Sequence, residues 1–119
     1  MATTRLTYTY NPGITFELLN SIAQNAFPDC DIHRDKMVIV GPAIIVNKSA
    51  FVQAKAVILH KEKKNKTVVK IFPEIPMKTY LLIGVTFIGI KARKRLAAEL
   101  SEQIKRGITE RLGIVAYKQ

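Results

Sequence analysis

Cysteine is nearly absent: Cys30 is the only one in 119 residues. No intramolecular disulfide can form and no four-cysteine zinc site can exist, so a reducing, cytoplasmic setting fits better than a secreted one. Tryptophan is missing, and aromatic residues make up 8% of the chain, leaving little material for stacking on bases. Acidic side chains are scarce, 9 against 19 Lys+Arg, and no paired acidic motif, Gly-rich phosphate loop or Ser-centred nucleophile elbow occurs. Gly84 and Gly89 have the spacing of a phosphate loop but lack the Lys-Ser/Thr that follows one. Long hydrophobic runs are missing too. The strongest, Tyr80 to Ile90, is eleven residues, short of the ~20 that span a bilayer as a helix. The first ten residues hold no apolar run of signal-peptide length.

What is present is a foldable composition. With 48% apolar and 24% charged residues the chain is no disordered basic tail. Size scaling gives about 6,500 Å² of folded surface from about 19,400 Å² unfolded, enough burial for one soluble globular domain over residues 1–119.

Arg5 to Tyr10 sets Leu6, Tyr8 and Tyr10 against Arg5, Thr7 and Thr9, the alternation of a strand. Asn11-Pro12-Gly13 offers a capping side chain and a first-turn proline, which predicts a helix over about 12–26 with Leu18, Leu19, Ile22 and Ala26 as its core stripe. From Cys30 to Pro76 short β-branched runs alternate with turn residues. The pieces are Asp31–His33, Met37–Val40, Ala43–Val46, Phe51–His60 and Thr67–Phe72, with breaks at Asn47–Ser49 and at a charged hairpin over Lys61–Lys66. Pro73 ends the last of them. Tyr80–Ile90 reads as a buried strand. Leu96, Leu100, Ile104, Ile108 and Leu112 then recur every four residues and predict a second, longer helix over about 91–113, interrupted by Gly107 and stopped at Gly113. Glycine inside a helix costs ~1 kcal/mol relative to alanine, which suggests a close approach at Gly107. Ile114–Tyr117 is expected to dock as a final extended piece. The order specifies an α+β domain: an antiparallel sheet of about 5–6 strands carrying both helices on one face.

Few groups could support catalysis. His60 sits at the end of a strand and reads as an exposed loop-end histidine. Cys30 and His33 differ in parity, so a strand points them to opposite faces. The expectation is a non-enzymatic protein without cofactor or metal.

Charge is the remaining signal. Residues 1–61 carry six basic and four acidic side chains, a net +2, and residues 62–119 carry thirteen and five, a net +8. Lys63, Lys64 and Lys66 lie in the hairpin, and Lys91, Arg93, Lys94 and Arg95 at the start of the second helix. Cations at a helix N-terminus oppose the helix dipole, and an anion bound there would relieve this. These seven residues are the candidate anion-binding set.

Three readings follow. The first is a nucleic-acid-binding module, with Tyr8, Tyr10 or Tyr80 available to stack if exposed. The second is an anionic membrane surface, or a homo-oligomer or protein partner, engaged by Tyr80–Ile90 beside Lys91–Arg95. The third is a small ligand held between sheet and long helix, because the element order is loosely similar to that of helix-grip domains. Nucleic acid is the reading preferred here.

Overall fold

The computed structural model describes residues 3–35, 42–49, 52–74 and 90–117. Five antiparallel strands form one sheet: β1 (Thr4–Thr9), β2 (Asp31–Arg34), β3 (Ala43–Ser49), β4 (Val52–Lys61) and β5 (Lys66–Glu74), in the order β1-β5-β4-β3-β2. Helix α1 (Phe16–Ala26) carries the chain from one sheet edge to the other, and α2 (Ile90–Leu112) lies against β4 and β5. This is the expected α+β architecture. The readings at Met37–Val40 and Lys78 lie outside the described residues, as does the expected buried strand Tyr80–Ile90 except for Ile90, which instead opens α2 and is exposed.

Parity along the strands separates the two sheet faces. Leu6, Tyr8, Ile44, Val46, Ala54, Ala56, Ile58, Val69 and Ile71 join Leu19, Ile22, Leu96, Leu100, Ile104 and Ile108 in one buried cluster. Both helices therefore cover the same face. Ala54 and Ala56 are small enough to let α2 come close, and its four-residue stripe fills the space above them. The other face, here called outer, carries the intervening residues of each strand. Ala43, Gln53, Val57 and Val68 on it are buried too, while Arg5, Lys61, Lys66 and Lys70 keep part of their surface exposed.

Four local expectations are corrected. First, α1 starts at Phe16, not Pro12, because Asn11-Pro12-Gly13 forms a tight turn instead of a cap. The Asn11 side-chain oxygen accepts from the Gly13 N–H at 2.7 Å, and the Ile14 N–H bonds the Asn11 carbonyl at 3.2 Å. The cap is Thr15, whose Oγ1 accepts from the Leu18 N–H at 3.1 Å. Ile14 before it and Leu19 four residues after it are both fully buried, the positions a hydrophobic staple joins. Second, Ala23 replaces Leu18 and Ala26 in the fully buried stripe of α1. Third, Asn47–Ser49 belongs to β3 and forms its last part: pairing with β4 runs on to Ser49 through a register shift, and Asn47 donates to Gln53 at 3.2 Å. Fourth, β5 runs through Pro73 to Glu74, beyond the β1 ladder that ends at Thr4↔Ile71, so proline there faces a ladder with β4 alone among the described residues.

The remaining connections follow the sequence. The hairpin between β4 and β5 is a 3-10 turn, Glu62–Lys64, closed by Asn65 in the left-handed region at φ 52°. Gly113, at φ 68°, ends α2 with its N–H on the Thr109 carbonyl at 3.0 Å. The chain then extends beside β1, where the Tyr117 N–H bonds the Thr7 carbonyl at 2.7 Å. Ile114 and Ala116 pack toward the core while Val115 and Tyr117 face outward.

Candidate nucleic-acid interface

The two basic segments found in the sequence lie at opposite ends of the molecule. Leu96 and Glu99 of α2 share a surface groove with Cys30 and Lys48, beside the end of β3. At the other end of the helix, Leu112 lies against Gly13, and the neighbouring Ile14 carbonyl bonds His60 beside the β4–β5 hairpin. Lys91 is therefore about 30 Å from the hairpin at 1.5 Å per helical residue. That is several Debye lengths at physiological salt, so Lys63, Lys64 and Lys66 cannot act as one electrostatic patch with the helix start.

The helix start is also weaker than its sequence suggests. Arg93 is only 3% exposed, on the core side of α2 and engaged within the protein. Lys91, Lys94 and Arg95 remain exposed. Glu99 follows Arg95 at the four-residue spacing that pairs opposite charges on a helix.

The hairpin end is stronger. On the outer face Lys61 stands directly opposite Lys66, and Lys66 opposite Thr9. Two rungs further along, Lys70 stands opposite Arg5. Like charges directly across a ladder destabilise a sheet, and here two such pairs lie on adjoining strands. Lys63 and Lys64 are exposed in the turn. The Lys61 ammonium is held below the usual lysine range, first by the charge on Lys66, then by partial burial and by Lys64, Lys70 and Arg5. At the other end of the same face the charge is compensated: Lys55 forms an ion pair with Asp35 and lies 3.8 Å from Glu74. The outer face thus concentrates its cations around the hairpin.

One aromatic borders this patch. Tyr117 is 51% exposed, and its hydroxyl shares a 2.6 Å hydrogen bond with Thr9 Oγ1, next to Lys66. Of the tyrosines considered for stacking, Tyr8 is fully buried in the core, and Tyr10 is half-buried with its ring edge-on to His60. Tyr80 lies outside the described residues. Arg5, Lys61, Lys70 and Tyr117 lie outside the candidate set of seven residues drawn from the sequence, although Lys61 and Lys70 belong to its C-terminal excess of charge. The Lys61–Lys66 pair was within reach from the hairpin alone. Arg5 and Tyr117 arrive through pairings more than sixty residues apart, which no local pattern shows.

The acid–base candidates have other uses. His60 is exposed at the end of β4, as expected, but its ring is held: one nitrogen lies 3.0 Å from Thr67 Oγ1 and the other 3.0 Å from the Ile14 carbonyl. The Nε2–H donates to that carbonyl, which leaves Nδ1 to accept from Thr67, while Thr67 Oγ1 also accepts the Asn11 N–H. Cys30 packs toward the core, and burial pushes its thiol pKa up, the opposite of nucleophile activation. Asp31 and His33 point away from it, 3.5 Å apart. No cluster of three metal-ligating side chains occurs among the described residues.

Between sheet and helices the described core side chains form one buried cluster. A groove of about 310 Å³ lies instead on the surface between the end of α1 and α2, where Glu99 and Glu102 line it. No described helix is long and apolar enough to cross a membrane. Comparison with known protein families, curated proteins and solved structures finds no match.

Proposed function

We propose that this is a non-enzymatic binding domain for nucleic acid, engaging the phosphate backbone through the outer sheet face at the β4–β5 hairpin. The observation that carries the reading is the facing of cation against cation, Lys61 with Lys66 and Arg5 with Lys70. Like charges facing each other oppose the ladder, and a bound polyanion would offset the repulsion between Lys61 and Lys66. Lys63 and Lys64 extend the site into the turn. The exposed cations at the start of α2 form a separate, weaker patch.

The test is binding of labelled oligonucleotides by two charge-neutralised variants. Lys61→Gln/Lys64→Gln/Lys66→Gln is expected to lose most of the affinity at 50 mM salt, and Lys91→Gln/Lys94→Gln/Arg95→Gln to keep most of it. Equal loss in both would reject a located site. No binding by the wild-type protein to any DNA or RNA at low salt would end the reading. Acidic vesicles serve as the competing anion, and preference for them would move the assignment to a membrane surface.

A further inference from the structure

The outer face offers an aromatic ring beside its cations. Tyr117 lies on the outward side of the extended tail, fixed at two points: its backbone N–H on the Thr7 carbonyl and its hydroxyl on Thr9 Oγ1. The two bonds orient the ring before any ligand arrives, so little side-chain freedom remains to be lost on binding. Half of the residue is still exposed, and Thr9 places it in the same cross-strand row as Lys66 and Lys61. An aromatic face held at one end of a row of cations is the arrangement that takes a base on the ring and adjacent phosphates on the ammonium groups. Bases in a duplex are already stacked and offer no free face. Val115, also exposed on the tail, adds apolar surface on the same side.

Resting on the proposed function, we infer that Tyr117 is a base-stacking platform and that the domain prefers single-stranded nucleic acid to duplex. Stacking contributes about 5- to 150-fold in affinity per base when judged by alanine substitution. Tyr117→Ala should therefore weaken single-strand binding by that range without changing the slope of affinity against salt, since no cation is lost. Tyr117→Phe keeps the ring and should stay within about threefold. Tyr117→Leu keeps bulk and the backbone bond but has no π face, and should behave like Tyr117→Ala.

The chain contains no tryptophan, so Tyr117→Trp also installs a single fluorescent reporter. Its emission should be quenched by a single-stranded oligonucleotide and not by a duplex of equal length. Thermal melts of each variant separate loss of binding from loss of the docked tail. Equal binding of single strand and duplex, or wild-type affinity in both Tyr117→Ala and Tyr117→Leu, would overturn the inference and leave the backbone-binding reading standing. Failure of the wild type to bind either form would overturn both.

Discussion

Gly107 offers the sharpest quantitative test of the helix packing. A Cβ built on it would lie 2.6 Å from Ile22 Cδ1, 2.7 Å from Cγ1 and 3.1 Å from Cγ2. Ordinary carbon–carbon contacts are about 3.5–4.0 Å, so roughly 1 Å must be recovered. Rotating Ile22 does not recover it easily. Its two γ-carbons branch from one atom, and a β-branched residue in a helix holds essentially one χ1 rotamer. The helices must separate instead, and overpacking of this kind costs about 1–3 kcal/mol. Against it stands a gain of about 1 kcal/mol in helix propensity for alanine over glycine. Gly107→Ala is therefore expected to destabilise the protein by up to about 2 kcal/mol, a fall of up to about 8 °C in melting temperature at this chain length. In an Ile22→Ala background, which by itself costs about 2–5 kcal/mol, the sign should reverse because the new methyl group enters vacated space. The assay is urea and thermal denaturation of the four proteins in that cycle, followed by circular dichroism. If Gly107→Ala raises the melting temperature of the otherwise unchanged protein, the propensity gain stands alone and the close approach of α1 to α2 is wrong.

The Tyr8 hydroxyl is fully buried with no hydrogen-bond partner among the described residues, so Tyr8→Phe should leave stability unchanged or raise it by about 1 kcal/mol in urea denaturation. Burial pushes the Tyr8 phenol up to about 12, above the ~10 of an unfolded chain, so its contribution is complete below pH 10 and is lost as pH rises toward 12. The difference between wild type and Tyr8→Phe should accordingly widen by at most about 2–3 kcal/mol between pH 9 and 12, and a constant difference would contradict the assignment. His60→Ala removes the bond to the Ile14 carbonyl that ties the segment before α1 to the hairpin, and with it the cross-strand bond to Thr67, and should cost about 1–3 kcal/mol, whereas an unchanged urea midpoint would show that the clamp is idle. Lys66→Glu replaces a repulsive cross-strand pair by an attractive one and should raise the melting temperature while weakening oligonucleotide binding. A lowered melting temperature would remove the argument that these cations act against the fold.

The periodic parts of the fold were readable because each rests on a short-range pattern. The four-residue stripe from Leu96 to Leu112 defines α2, and the alternation through Val52, Ala54, Ala56 and Ile58 defines β4, whose alanines alone could have belonged to a helix. Turn chemistry was harder. Asn-Pro-Gly can cap a helix or close a tight turn, and the choice went to the turn because Thr15 offered a cap with Ile14 and Leu19 placed to be buried around it. The site was half visible. Charge counting by sequence halves pointed to the hairpin, but it also grouped Lys91 to Arg95 with it, since proximity along the chain says nothing about which end of a sheet a helix starts from. Arg93 illustrates the same limit: in a run of cations its spacing of three and seven residues from Leu96 and Leu100 on α2, not its charge, places it on the buried face. Arg5 and Tyr117 join the patch only through the β1–β5 ladder and the docked tail.

The central claim, a located polyanion site on the outer face, is tested most directly by the salt dependence of single-stranded oligonucleotide binding. With five or six cations engaged, the logarithm of affinity should fall against the logarithm of salt concentration with a slope of about −3.5 to −4. In Lys61→Gln/Lys64→Gln/Lys66→Gln the slope should be shallower by about 2. An unchanged slope in that variant, with binding intact, would contradict the account.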